Sequence, residues 1–164
     1  MVIAVMSDLH DNVKTWELVV KYLQAENITT LINCGDTCAP AMLEDMSKTF
    51  SGHIHTVFGN VADRELEQEV ASSLKNVTHY GDRGEVELDG KHIFFNHFPA
   101  IAESAAKSEK FDLVCHGHTH LKRWEPMGKT MIVNPGTAGG MFQYPSIATI
   151  NLQTMKCSFI DFTL

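Results

Sequence analysis

Five short segments of this chain carry side chains of the types that can hold metal ions. They are Ser7-Asp8-Leu9-His10, Gly35-Asp36, Gly59-Asn60, Asn96-His97 and Gly117-His118-Thr119-His120. Asp8 and His10 lie two residues apart, so an extended backbone points both side chains the same way; His118 and His120 repeat that spacing. Gly117 lets its loop bend towards an ion. The two oxygens of a carboxylate such as Asp36 can bridge two cations about 3.5–4 Å apart, as two-metal hydrolases require. The amide oxygen of Asn60 and the ring of His97 complete a mixed nitrogen and oxygen set. Each segment alone has an ordinary explanation: Asp8 and Asp36 as turn caps, Asn60 as a turn residue, His97 as a packed imidazole, His118 and His120 as a solvated loop. Their joint placement is harder to obtain that way, because each follows an apolar run that reads as a strand. In open α/β sheets, ligands bind outside the carboxyl ends of the strands.

The elements that must place these segments follow from apolar periodicity. Val2 to Met6 is a continuous apolar run, as in a strand buried on both faces. Asp11 or Asn12 caps a helix with Val13, Trp16, Val20 and Leu23 at helical spacing. Thr30 to Cys34 is a second strand, Pro40 begins a helix carrying Leu43, Met46 and Phe50, and Ile54 to Phe58 is a third strand. Asp63 caps a short acidic helix reaching about Ser72. This series predicts parallel strands with right-handed crossovers. Beyond it, Glu85–Leu88 and Lys91–Asn96 flank Asp89-Gly90 as a hairpin, and a helix runs from about Ala100 to Ser108. Phe111–Cys115, Thr130–Val133, Ser146–Asn151 and Lys156–Phe162 read as late strands. The expected architecture is one α/β domain over residues 1–164, two packed mixed β-sheets flanked by helices in a four-layer αββα sandwich.

Composition bounds the function. The 164 residues are 44% hydrophobic and 20% charged, an ordinary globular balance. A net charge of −7 argues against a broad basic face for nucleic acid. No window approaches the roughly 20 apolar residues of a membrane span. The N-terminus reads as a core strand, not a secretory signal. Cys34, Cys38, Cys115 and Cys157 form no CxxC pair and read as free thiols in a reducing cytoplasm. Nine His beside 13 Lys and Arg draw attention to metal chemistry. His53, His55, His79 and His92 lack nearby ligand motifs and read as ordinary; His116, before Gly117, is a candidate hydrogen-bond donor to a carboxylate or phosphate.

Taken in order, D-x-H, G-D, G-N, H and G-H-x-H resemble the signature of the calcineurin-like metallophosphoesterase superfamily. The short length, the late hairpins and Asn134-Pro135-Gly136-Thr137 resemble its small, YfcE-type phosphodiesterase branch. The resemblance implies two divalent metal ions, one held by Asp8, His10, Asp36 and His120, the other by Asp36, Asn60, His97 and His118, with Asp36 bridging. It implies hydrolysis of small phosphodiesters through attack on phosphorus by a water that the ions activate. The ions' charge outweighs that of the two carboxylates, which suits a singly charged diester. Such a shell favours Mn²⁺, Ni²⁺, Fe²⁺ or Zn²⁺ over Ca²⁺, and Mn²⁺ is the first expectation. The partner is then a small phosphate ester, with no membrane and no nucleic acid; a homo-oligomer is compatible with the chain. Two departures stand out. Val61 follows Asn60 where larger relatives carry a proton-donating His, which leaves Asp63 as the nearest ionisable group; Asn96-His97-Phe98-Pro99 replaces a glycine-containing H-G-H. The rival reading is a metal-binding or protein-interaction scaffold of the same fold, as in a retromer subunit; it predicts loss of ligands, and here all remain.

Overall fold

The computed structural model describes residues 1–163. Strand β1 (Val2–Met6) alternates its apolar side chains between two layers. Ile3 and Val5 pack between two sheets with Ile32, Phe95, Leu113 and Val133. Ala4 and Met6 face the other way, onto Trp16, Val19, Leu43 and Met46 of two helices. That alternation builds the fold, because one strand with two apolar faces demands a cover on each.

The first sheet has six strands in the order β11-β10-β1-β2-β3-β4. Strands β1, β2 (Thr30–Asn33), β3 (His53–Thr56) and β4 (Val77–His79) run parallel; β10 (Ser146–Asn151) and β11 (Lys156–Asp161) are antiparallel additions beside β1. Its outer face carries α1 (Val13–Ala25), α2 (Pro40–Thr49) and α3 (Arg64–Ser73). The second sheet has five strands in the order β5-β6-β7-β9-β8. They are β5 (Arg83–Leu88), β6 (Lys91–Asn96), β7 (Leu113–Cys115), β8 (Arg123–Met127) and β9 (Thr130–Asn134). Helix α4 (Pro99–Lys107) covers its outer face through Ala102 and Ala106 against Phe94, Val114 and Ile132. The molecule is therefore the expected four-layer αββα sandwich.

Two strands escape the sequence pattern. Strand β4 has three residues, too short for a visible alternation. Strand β8 contains Pro126, which argues against a central strand; it lies at the sheet's edge, where the missing N–H is tolerated. The other elements match within a few residues. Asn12, not Asp11, caps α1, accepting a hydrogen bond from the Thr15 N–H at 3.1 Å, while Asp11 accepts from the Ala39 N–H. Asp63 caps α3, accepting from the Leu66 N–H at 3.3 Å.

That cap sets a prediction. Asn caps a helix about as well as Asp but cannot donate a proton from a carboxyl group. Asp63→Ala should lower stability by about 1 kcal/mol in denaturant unfolding, and Asp63→Asn should restore both stability and any activity. A stable Asp63→Asn protein with greatly reduced activity would show that Asp63 acts in the chemistry.

Candidate metal centre

All five motifs lie past the carboxyl ends of β1, β2, β3, β6 and β7, which open on one edge of the sandwich. Reaching a common point from there requires unusual backbone. Asp8, His10, Asp36, His118 and His120 adopt φ of 56°, 49°, 53°, 70° and 60°, all in the left-handed region that non-glycine residues seldom enter. Such positions cost of order 1–3 kcal/mol each and cluster at functional sites. Glycines supply the clearance. A Cβ at Gly59 would overlap the Asp36 carboxylate, and one at Gly117 would overlap the Ser7 hydroxyl.

The side chains converge in two sets. Asp8, His10 and His120 place ligand-type atoms all within 4.8 Å of one another, and so do Asp8, Asp36 and His97. Asn60 joins the second set. Its Oδ1 lies 2.9 Å from His97 Nε2 and 2.8 Å from His118 Nδ1. The His118 N–H donates to Asp8 Oδ2 at 3.0 Å. Asp8, Asp36 and His97 form a buried floor, whereas Asn60 and His118 are exposed at the mouth. All seven candidate residues are thus brought together, including His97 despite its altered surroundings.

Hydrogen bonds behind the rings fix which nitrogen faces inward. His97 Nδ1 donates to the Cys34 carbonyl at 2.9 Å, and His120 Nδ1 donates to the Met141 carbonyl at 3.3 Å. His10 Nδ1 lies 3.3 Å from Cys38 Sγ. In each ring Nε2 is left for the cavity, the arrangement by which proteins orient metal-binding histidines. Cys38 was invisible to motif reasoning, since no spacing rule marks a sulfur behind a histidine. Burial, and then the negative charges of Asp11 and Asp36, push its thiol up to about 11, so it stays neutral.

The donor set fits cations. His97 Nε2 faces Asn60 Oδ1 at 2.9 Å, Asp36 Oδ2 at 3.4 Å and Asp8 Oδ1 at 4.0 Å. Two buried carboxylates this close need positive charge among them, from a proton on His97 or from a cation. Asp8 Oδ1 and His10 Nε2 are buried without any hydrogen-bond partner, another cost that a cation would relieve. His120 Nε2 sits 3.1 Å from Asp8 Oδ1, yet the two are not aligned to share a hydrogen bond. Converging ligands of one ion have that geometry.

The remaining histidines separate from the cluster. His79 is buried against Glu67 at 3.1 Å and accepts from the Gly81 N–H, so it has a carboxylate partner the sequence did not reveal. His55 lies beside Tyr80, and burial, helped by His53, pulls it down to about 4. His92 is exposed beside Glu87. His116 hydrogen-bonds the Gly117 carbonyl at 3.0 Å, with no carboxylate; it braces the turn carrying His118. All four cysteines are free.

The sequence profile of the calcineurin-like phosphoesterase superfamily domain matches residues 1–155, so the chain belongs to that superfamily. It is 28% identical over 167 residues to phosphodiesterase MJ0936 of Methanocaldococcus jannaschii, across 100% of this chain and 99% of the relative. The solved structure of an archaeal phosphodiesterase superposes with a TM-score of 0.87 at 25% identity, covering 99% of this chain and 100% of that one. The phosphoesterase YfcE of E. coli (TM-score 0.68, 19% identity, 99% and 100% covered) and zinc-complexed Vps29 of Entamoeba histolytica (0.69, 16%, 99% and 100%) share the fold. No helix among the described residues is long and apolar enough to cross a membrane.

Charge coupling in the floor yields a second prediction. Burial pushes the Asp36 carboxyl up, but the hydrogen bond and charge of His97 outweigh it, so the group is held below its ordinary value. Burial pulls His97 down, but Asp36 and Asp8 outweigh it, so the ring is held above its ordinary value. In chelator-treated protein, the lowered carboxyl contributes stability that is lost as pH falls through its folded value. The raised imidazole contributes stability that is lost as pH rises through its folded value. Chelated protein should melt at higher temperature at about pH 6 than at about pH 9, and His97→Gln should reduce that difference. An unchanged difference in the variant would show that His97 is not the group responsible.

Proposed function

We propose that this single-domain protein is a dinuclear metal-dependent phosphodiesterase acting on small phosphate esters. The observation that carries the reading is the convergence of two ligand sets on Asp8, whose Oδ1 is buried without a hydrogen-bond partner, as is His10 Nε2. Bound there, divalent ions would supply Lewis acidity and a water acidic enough to attack phosphorus near neutral pH.

The chain's own residues perform the remaining tasks. Asp8, His10 and His120 would hold one ion and Asn60, His97 and His118 the other. Asp36 would serve both, a role supported by its position: its carboxylate lies 3.4 Å from His97 and its carbonyl accepts from the His10 N–H. The Cys34 and Met141 carbonyls and the Cys38 sulfur keep the rings from rotating. Asn60 and His118 lie at the mouth, where a substrate would enter. Val61 offers no proton and Asp63 is engaged at a helix start, so the departing alcohol takes its proton from solvent. That favours esters of acidic alcohols. We assign Mn²⁺ as the first metal to test, then Ni²⁺, Fe²⁺ and Zn²⁺, and the cytoplasm as the compartment, with free thiols in keeping. A pure scaffold has no need of seven converging ligands with their supporting hydrogen bonds.

The test is hydrolysis of methyl 4-nitrophenyl phosphate by protein loaded with Mn²⁺, beside metal titration by calorimetry. Two ions should bind, and the rate should fall on acidification as the histidines protonate. Asp36→Ala should weaken both ions at least tenfold, about 1.4 kcal/mol each, and abolish turnover. Two undiminished sites in that variant would remove its bridging role, and inactivity of the wild type with all four metals would overturn the reading.

A further inference from the structure

The rim of this centre is apolar. Val61, Phe98, Leu121, Met141, Phe142 and Tyr144 are all exposed, and each follows a candidate ligand in sequence or lies on the loop that touches His120. Phe98 packs edge-on against His97 and tilted against His118, at centroid distances of 5.1 and 5.3 Å. The loop beyond Gly139 is the more telling wall. Phe142 is 89% and Tyr144 78% exposed, and together with Met141 they form a contiguous apolar patch of the kind that marks binding grooves. The Phe142 ring centroid lies 6.4 Å from that of His120.

Two hollows meet at this loop. One, of about 170 Å³, runs from His120 over Leu121 to Gln143 and Tyr144. The other, of about 510 Å³, is lined by Phe142, Gln143, Tyr144, Pro145 and Phe162. Gln143 and Tyr144 line both, so the aromatic recess adjoins the hollow that begins at His120. A nucleobase has a flat π-face for such rings and a donor–acceptor edge for the Gln143 amide.

Charge narrows the class further. A polynucleotide needs unpaired cations along its path. Lys122 and Arg123, which follow the His118–His120 loop, are tied to Asp161 and to Glu103 and Glu125. Arg64 is paired with Asp82 and lies over Phe58. These cations are all engaged, so the metal centre itself must meet the substrate's phosphate.

We infer that the substrate is a small nucleoside phosphodiester with one phosphate at the metal centre and its base against Tyr144 and Phe142. The inference rests on the phosphodiesterase reading. In the reaction, water adds to phosphorus, one P–O bond breaks, and the products are a phosphate monoester and an alcohol that takes the proton.

The test compares two esters with one leaving group, thymidine 5′-(4-nitrophenyl phosphate) and methyl 4-nitrophenyl phosphate. The thymidine ester should have a kcat/KM on the order of tenfold higher, and Phe142→Ala/Tyr144→Ala should bring the ratio towards one. A ratio cancels any loss of folded protein. Thymidine alone, titrated into chelated protein and followed by NMR, should shift the amides of residues 141–145 saturably. Equal rates for the two esters in the wild type, or an unaltered ratio in the variant, would overturn the inference while leaving the phosphodiesterase reading intact. Thymidine binding without hydrolysis of either ester would overturn that reading, and the substrate class with it.

Discussion

Two buried carboxylates crowded among histidines at the strand ends are the constraint around which this molecule is organised. Asp8 Oδ1, Asp36 Oδ2 and Asn60 Oδ1 all lie within 4.0 Å of His97 Nε2, and Asp8 Oδ1 has no hydrogen-bond partner. Left alone, that pairing of buried carboxylates is unfavourable, and against the pull of burial it holds His97 above its ordinary value. It persists because the surrounding sandwich is rigid enough to impose it. Strands β1, β2, β6 and β7 are buried and hydrogen-bonded to neighbours, so the loops at their ends have little freedom to relax. A divalent cation would relieve that crowding, which is what makes the cluster a candidate metal centre.

Local backbone chemistry carries the imposition from strand to site. Five candidate ligands sit in the left-handed region, which turns each chain sharply as it leaves its sheet and swings the side chain inward. Gly59 and Gly117 have no side chain because their neighbours' ligands already occupy that space. Further bonds lock the loops together: the Asp8 N–H donates to the Gly35 carbonyl, the Val61 N–H to the Asp36 carboxylate, and the Gly139 N–H to the Asp8 carbonyl. The last of these ties the aromatic loop to the floor of the candidate site.

Much of this was legible in the sequence. The alternation of Ile3 and Val5 with Ala4 and Met6, and the apolar runs at Leu31–Cys34 and Ile93–Phe95, require strands covered on both faces and hence layers of helix outside. The seven candidate ligands were visible because each follows such a run. Other features were not. Strand β4 is too short to show a period, and β8 is masked by Pro126. The pairing of Cys38 with His10 depends on a turn geometry that no spacing encodes. Asp8 also contributes to both ligand sets, whereas family resemblance singles out Asp36. The two carboxylates approach the same volume from different strands, and only the register of β1 against β2 decides how closely. The aromatic recess, made by residues 140–145 and the far end of β11's continuation at Phe162, joins segments with no common sequence pattern.

The central claim is that these seven residues hold two ions. Anomalous diffraction from crystals equilibrated with Mn²⁺ tests it most directly. Two peaks about 3.5–4 Å apart are predicted, one beside Asp8, His10 and His120, the other beside Asn60, His97 and His118, with Asp36 between them. A single peak, or manganese bound away from the strand ends, would contradict the account.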